Sequence, residues 1–287
     1  MEKTAIVTDT NSGISIRQAE EMGIHLILMP FFIDGATYLE ERDISARDFF
    51  DRMREGAEVS TSQPSPDEIT SLWEKLLETH DSVLHFPMTS GLSGSCQTAR
   101  ALAMEYGGRV VVVDDHRISV TLMQSICNAQ VLLSMGKTAA EVRDILENEK
   151  DASSIYIAVK TLEYLKRSGR VTAAGAAMAA VLHIKPVLQI QGGLLDAYKK
   201  VRGMGKAKAA LLDALHSDLN VRFAGEHMRI FSGYSGGDPA LGLQWQKEVQ
   251  AEFPDYQVDL ISLPLSICCH TGEGALGVAC AKEWEKP

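Results

Sequence analysis

Short apolar runs alternate along the chain with longer stretches in which apolar residues recur every three or four positions. The short runs lie at 83–86, 110–113, 155–159, 228–231 and 258–261. The stretches with helical spacing include 66–77, 118–135, 206–215 and 240–253. Buried strands that alternate with amphipathic helices are typical of α/β proteins. The pattern therefore predicts an α/β fold with mainly parallel sheets.

The length of the chain and one acidic stretch predict how the fold is divided. A chain of 287 residues is long enough for about two domains. The most linker-like stretch is 147–151, and a new strand is predicted to begin at 155. We therefore expect an N-terminal α/β domain at 1–152 and a C-terminal α/β domain at 153–287.

Charge is distributed unevenly along the sequence. The net charge of −10 argues against a general nucleic-acid-binding protein. Between residues 160 and 208, however, there are ten Lys or Arg and only two acidic residues. This stretch is either a basic face on an acidic body or an ordinary solvated surface.

The hydrophobic segments and the cysteines of the sequence indicate in which cellular compartment the protein functions. The sequence has no apolar run long enough for a transmembrane helix and no signal-peptide pattern at its start. Its five cysteines are odd in number and lack the spacing of metal ligands. We expect a cytoplasmic protein with reduced thiols and no metal site.

Three polar stretches follow apolar runs, where ligands bind in open α/β sheets. Ser93 lies in a small-residue loop before a predicted helix, and either caps that helix or helps to hold an anion. A second hydroxyl-rich loop begins at Thr61 and Ser62. His270 precedes several glycines, which favours a loop, and it is either structural or an anion ligand.

Several short motifs, and their order along the chain, resemble those of the DegV family, the bacterial fatty-acid-binding proteins also called FakB. The matching stretches are IVTD at 6–9, TSQPS at 61–65, LSG at 92–94 with Gln97, TLEYL at 161–165, GR at 169–170, IKP at 184–186, KVRG at 200–203 and HTGEGALG at 270–277. The resemblance implies two α/β domains that hold a long-chain fatty acid, such as palmitate, stearate or oleate, between them. It implies no further cofactor.

The resemblance also implies residue roles. The fatty-acid carboxylate would be bound by Thr61, Ser93, His270, Ser62 and Gly94. The small side chains of the stretch 173–182 suggest that it walls the acyl tail, with Ala173, Ala177, Ala180 and Ile184 as the candidate residues. A separate fatty-acid kinase would phosphorylate the bound acid, and Arg167, Arg170 and Arg202 are candidates for docking it. The carrier itself would be no enzyme, and transient contact with a membrane surface is compatible with this role.

The sequence leaves one alternative of a different class. Ser93 as nucleophile, His270 as base and Asp9 or Asp115 as orienting acid would give a hydrolase or acyltransferase that acts on a small lipid-like substrate. No GxSxG motif accompanies Ser93. The chain also departs from the family pattern at Lys160, at Glu273, at the cysteine pair 268–269 and in the first loop, which reads TNS at 10–12. These departures leave the tail selectivity and the surroundings of His270 open.

Overall fold

A computed structural model of the chain describes residues 2–178 and 184–285. The first half comprises β1 (Thr4–Asp9), α1 (Ile16–Met22), β2 (His25–Ile27), β3 (Pro30–Ile33), β4 (Ala36–Leu39), α2 (Ala46–Arg54), β5 (Val59–Thr61), α3 (Pro66–Leu77), β6 (Ser82–Phe86), α4 (Ser95–Ala103), β7 (Val110–Val112), α5 (Val120–Ser134) and α6 (Ala139–Asn148). The second half comprises β8 (Ser153–Ala158), α7 (Glu163–Ser168), α8 (Ala173–Ala177), β9 (Ile184–Ile190), β10 (Leu195–Arg202), α9 (Met204–Ser217), β11 (Met228–Tyr234), α10 (Pro239–Glu252), β12 (Val258–Ser262), α11 (Leu265–Thr271) and β13 (Leu276–Lys282).

The first sheet is parallel, in the order β2-β1-β6-β7. Alternate residues of its strands point to opposite faces, so Val7 and Val83 pack on α3 and α4. Ile6 and Leu84 pack on α5 and α6. Covered on both faces, the central strands can be apolar at nearly every position, which explains their continuous apolar runs.

Capping residues fix where several helices begin. Ser65 and Glu68 form a capping box at the start of α3, with Pro66 in the first turn. Thr138 and Glu141 form another at the start of α6. These caps are local interactions that need no tertiary context, and α3 begins at residue 66 as the sequence predicts.

A small antiparallel sheet, in the order β4-β3-β5, lies beside α2 and α11. Its residues Phe31 and Val59 pack against Cys268 and Cys269 of α11. This contact joins an element of the first half of the chain to an element of the second half. It thereby sets the position of α11 relative to the end of β5.

The second sheet has the order β10-β9-β8-β13-β11-β12. One of its five pairings, β11 with β12, is parallel, and the other four are antiparallel. The α/β class is therefore confirmed and the first sheet is parallel as expected, whereas the second sheet is mainly antiparallel, which corrects the expectation for that half. Two of the antiparallel pairings arise because β13 enters between β8 and β11 and runs opposite to both, and the other two join β9 to β8 and to β10.

The second sheet is covered differently on its two faces. Tyr156, Ile230 and Val278 pack with α9 and α10 in one large core. The alternate residues, including Phe231 and Ala279, face the first half of the chain and contact Val120 of α5. The strands of the first sheet precede residue 113 and those of the second follow residue 152, so the proposed division at 152 falls between the two sheets.

Candidate functional site

A cavity lies between the two halves of the chain, with an empty volume of about 1070 Å³ that includes the space open at its mouth. Most of its lining is apolar, from Met29, Met88, Leu92, Ile118, Val120, Ile155, Ile157, Leu165, Ile190, Leu195, Phe231, Ile261, Leu263, Ile267, Val278 and Ala279. Its polar lining comes from Asn11, Thr61, Ser62, Gln63, Ser93, Ser119, Arg170, Ser266, His270 and Thr271. A mostly apolar cavity with a few polar groups suits an apolar ligand with a polar end.

Thr61 and His270 meet at this cavity although 209 residues separate them in sequence. Thr61 is the last residue of β5, and its Oγ1 lies 3.0 Å from Nε2 of His270 on α11. The packing of α11 on the small antiparallel sheet produces this contact. Ser62, the next residue, also lines the cavity.

His270 lies in a helix, so the prediction that it occupies a loop is wrong. Helix α11 begins after Pro264 and ends at Gly272, whose φ of 71° is left-handed. The glycines that suggested a loop therefore follow the histidine and end its helix. The imidazole Nδ1 is buried and has no hydrogen-bond partner among residues 2–178 and 184–285.

Burial lowers the pKa of His270 to about 4, and the positive charge of Arg170 acts in the same direction. An imidazole with this pKa is uncharged near neutral pH. Thr61 and His270 therefore form a neutral pair with one hydrogen bond between them. Such a pair can donate to an anion, but it adds no formal charge to the site.

Ser93 lies on the loop between β6 and α4. Its Oγ accepts the N–H of Ser95 at 3.1 Å, and its side chain lines the cavity. The hydroxyl keeps its own proton for a further partner, so capping and ligand binding do not exclude each other at this residue. Gly94 precedes α4 without lining the cavity, and Gln63 lies close to it.

The three candidate docking arginines occupy different places. Arg170 is exposed and also lines the cavity, so it lies at the mouth. Arg202 is exposed at the end of β10, and Arg167 is exposed on α7 with its guanidinium over the ring of Tyr164. Neither Arg202 nor Arg167 contributes to the cavity lining.

The residues expected to hold an acyl tail do not line this cavity. Ala173 and Ala177 are exposed on α8, which corrects the expectation that they wall the tail. Ile184 is half-buried at the start of β9 and is likewise not part of the lining. Ala180 lies outside the described residues. Alanine fits an exposed helix and a narrow tunnel equally well, so its abundance could not distinguish them.

Other lining residues were not predicted from the sequence. Oδ1 of Asn11 accepts a hydrogen bond from Ser266 Oγ at 2.8 Å, and Asn11 Nδ2 donates to the sulfur of Met88 at 3.1 Å. Ser119 lines the same region. The departure of the first loop from the family pattern was the one sequence signal that pointed to Asn11.

The residues of the alternative triad do not come together. Asp9 accepts the N–H groups of Asn11 and Met88, and Asp115 accepts the hydroxyl of Ser125 and the N–H of Arg117. Neither acid orients His270, whose Nδ1 has no hydrogen-bond partner in the described ranges.

In residues 2–178 and 184–285, no cluster of side chains could hold a metal ion. In the same ranges, no helix combines the length and apolar character needed to cross a membrane.

The departures from the family pattern at Lys160, at Glu273 and at the cysteine pair 268–269 lie outside the cavity lining. Glu273 accepts a hydrogen bond from Arg54 at 3.1 Å, which links α2 to the turn after α11. Cys268 and Cys269 are buried against the small antiparallel sheet. Lys160 is exposed beside the same turn, close to Gly274. None of these four side chains lines the cavity.

Comparison with known proteins gives the family. A family model described as an uncharacterised protein of the DegV family matches residues 3–283. The chain belongs to the DegV family. A DegV domain-containing protein from Deinococcus radiodurans is 31% identical over 282 residues, which cover 96% of this chain and 97% of that protein. A DegV domain-containing protein from Listeria innocua is also 31% identical over 281 residues, covering 96% of this chain and 98% of that protein.

Solved structures of other DegV proteins have the same fold. A DegV family protein from Thermus thermophilus, described as binding fatty acid, is 30% identical with a TM-score of 0.88 and covers 98% of this chain and 99% of its own. DegV from Bacillus subtilis, described as a fatty acid binding protein, is 25% identical with a TM-score of 0.86 and covers 99% of this chain and 100% of its own.

Proposed function

We propose that this DegV protein binds a long-chain fatty acid, with the carboxylate at Thr61, Ser93 and His270 and the tail in the apolar cavity. The observation that carries the proposal is the cavity itself, a mostly apolar space that contains a cluster of hydroxyl and imidazole groups. The fatty-acid binding described for the Thermus and Bacillus relatives supports it. An elongated amphiphile with one anionic end matches this distribution of groups.

Neutral groups can hold the carboxylate by directed hydrogen bonds. If the imidazole proton is on Nε2, His270 donates to Thr61, and the hydroxyl of Thr61 then points its own proton to the ligand. The hydroxyl of Ser93 adds a second donor. Arg170 at the mouth adds positive charge, which attracts an anion and is partly screened by solvent.

We further propose that the bound carboxylate is presented to a separate fatty-acid kinase that converts it to an acyl-phosphate. If the tail is buried and the carboxylate lies near the mouth, the carboxylate is accessible to a kinase that docks there. The exposed Arg202 and Arg167 provide charge for recognising such a partner without contributing to the lining. In this role the DegV protein binds the fatty acid, and the kinase catalyses its phosphorylation.

The test measures fatty-acid affinity in Thr61→Val and Ser93→Ala variants by isothermal titration calorimetry with palmitate and oleate. A hydrogen bond to a charged group contributes about 1.5–3 kcal/mol, so each variant should bind about ten- to a hundredfold more weakly. Ser60→Ala is the matched control, because Ser60 precedes Thr61 on β5, is exposed and does not line the cavity.

The two variants and the control separate the outcomes. Unchanged affinity in both Thr61→Val and Ser93→Ala would remove the carboxylate from this end of the cavity. Absence of fatty-acid binding by the unmodified protein, after lipid extraction and reloading, would overturn the proposal as a whole. Turnover of a generic ester by the lipid-free protein would instead favour the hydrolase alternative.

A further inference from the structure

A second polar group lines a more buried part of the cavity than the Thr61–His270 pair, since its members are buried whereas Thr61 and His270 are half-buried. Ser266 precedes His270 by four residues on α11, which places it on the same helix face about 6 Å further along the wall. Its hydroxyl donates to Asn11 Oδ1 at 2.8 Å, and the Asn11 carbonyl accepts the N–H of Ser119 at 2.8 Å. Asn11, Ser119 and Ser266, here called the inner polar group, therefore line the region proposed for the alkyl tail.

Ser119 occupies the N-cap of α5, but its side chain does not cap the helix. An N-cap serine ordinarily has an extended backbone and accepts an N–H from the first turn, as Ser65 does in α3. Ser119 instead has φ 55° and ψ −138° and makes no side-chain cap bond. The N–H bond to Asn11 and the bond from Met123 N–H to the Ser119 carbonyl hold this unusual backbone in place.

The hydroxyl of Ser119 is consequently left without a cap partner in a residue that lines the cavity. The residue is only 6% exposed, and its Oγ has no hydrogen-bond partner within the part of the chain that the structure describes. Its sequence neighbours Ile118 and Val120 line the cavity with it, and Phe231 lies across from Val120. A buried hydroxyl left unpaired is unfavourable, and an unsubstituted alkyl chain cannot pair it.

We propose that Ser119 determines specificity for a fatty acid that carries an oxygen substituent, a hydroxyl or an oxo group, in the interior of its chain. The proposal rests on the proposed function and names the class of acid. A serine hydroxyl can donate to an oxo oxygen and can donate to or accept from a hydroxyl. If the oxygen substituent lies beside Ser119, it forms a hydrogen bond with the Ser119 hydroxyl. Without this bond, both the substituent and the hydroxyl would be buried without a partner.

The experiment compares stearate with a hydroxystearate and an oxostearate substituted near mid-chain, and with stearate hydroxylated beside the carboxylate. Affinities are measured for the unmodified protein, Ser119→Ala and Ser119→Gly. The mid-chain acids should lose about tenfold in affinity relative to stearate when the Ser119 hydroxyl is removed. Glycine adopts a positive φ without strain, so this variant guards against misfolding of the alanine protein.

The matched control is Ser95→Ala. Ser95 is 3% exposed, and its hydroxyl also has no partner in the described residues, but it does not line the cavity. This variant should leave the relative affinities unchanged, and the acid hydroxylated beside the carboxylate should not respond to Ser119→Ala.

Two failures can be distinguished. The first failure is that stearate binds, but the affinity of the mid-chain acids relative to stearate is no higher in the unmodified protein than in Ser119→Ala. This result overturns the inference and leaves the proposed function standing. If stearate itself does not bind to the extracted, unmodified protein, the proposed function fails and the inference fails with it.

Discussion

The neutral pair of Thr61 and His270 depends on burial as much as on hydrogen bonding. Burial favours the uncharged imidazole, which lowers the pKa of His270 from its ordinary value of 6.5 to about 4. The same histidine on the surface would be partly protonated under mildly acidic conditions. Burial therefore keeps the imidazole able to serve as a hydrogen-bond partner of Thr61 while adding no charge to an empty site.

The lowered pKa predicts how stability depends on pH. Between about pH 4 and pH 6.5 the unfolded chain binds a proton at His270 that the folded chain does not, so stability falls as the pH falls through this window. Replacement His270→Gln removes this contribution. Relative to the variant, the unmodified protein should lose up to about 2 kcal/mol between about pH 7 and pH 5, measured by urea unfolding.

The ligand provides the control for this prediction. A bound carboxylate near His270 favours the protonated imidazole, so saturation with palmitate should shrink the pH-dependent difference between the two proteins. An identical pH profile for the unmodified protein and His270→Gln, with and without palmitate, would show that His270 is not buried uncharged in solution.

Single residues show what the sequence reveals about the site. Thr61, Ser93 and His270 were predicted because they lie in stretches with a recognisable family pattern, and the structure brings all three to one cavity. Ser119 and Asn11 were missed. A serine before a helix predicts a cap, but the backbone of Ser119 has a positive φ, makes no side-chain cap bond and is hydrogen-bonded to a distant loop.

At the level of elements, the alternate faces of the second sheet separate a packed core from a cavity wall. Ala279 of β13 is buried and lines the cavity, whereas its neighbour Cys280 lies outside the lining and belongs to the core with α9 and α10. A one-residue change in register would exchange these faces. Small residues on this face, Gly277 and Ala279, line the cavity and leave space that a larger side chain would fill.

Enlarging one of these side chains should shorten the usable tail space. Ala279→Leu should weaken binding of stearate more than binding of a ten-carbon acid, because the long tail needs the space that the new side chain fills. Ala177→Phe is the control, since Ala177 is exposed on α8 and outside the lining. Affinities for a chain-length series, with thermal unfolding to check folding, measure the effect.

Two results would contradict this arrangement. Equal loss for every chain length in a folded Ala279→Leu protein would place the tail elsewhere. A chain-length effect confined to Ala177→Phe would restore α8 as the wall of the tail.

The direction of strands was harder to predict than their presence. A strand buried on both faces has a continuous apolar run whichever way its neighbours run, so 155–159 and 228–231 looked alike in a parallel and an antiparallel sheet. Two of its antiparallel pairings come from the entry of β13 between β8 and β11. The pairing of β13 with β8 joins strands more than a hundred residues apart and has no local signal.

At the scale of the whole molecule, the two halves approach closely through backbone atoms. The hairpin between β9 and β10 carries Gly193, whose carbonyl accepts the Thr89 hydroxyl at 3.2 Å. A side chain at Gly91 would collide with the same carbonyl. Paired glycines between two apolar stretches are a hairpin signal, but the residue that this hairpin contacts across the cleft could not be predicted from the sequence.

The charge asymmetry of the molecule gives the last prediction, which concerns the proposed kinase. Arg202 ends β10 beside the exposed Lys199 and Lys200 and lies outside the cavity lining, whereas Arg170 is part of the lining. Arg202→Ala should therefore leave palmitate affinity unchanged and lower the rate at which a bacterial fatty-acid kinase phosphorylates the loaded protein. Arg170→Ala should reduce both, because it removes positive charge from the mouth.

Salt distinguishes docking by charge from a general defect. Electrostatic steering accelerates association by tenfold or more at low ionic strength and is screened as salt rises, so the deficit of Arg202→Ala should be about tenfold at low salt and should shrink along a salt series. Arg17→Ala is the control, because Arg17 is an exposed arginine on α1 paired with Glu21. A deficit independent of salt, or one shared by Arg17→Ala, would make the basic stretch an ordinary solvated surface. Loss of palmitate binding in Arg202→Ala would instead move this arginine from partner docking to the ligand site.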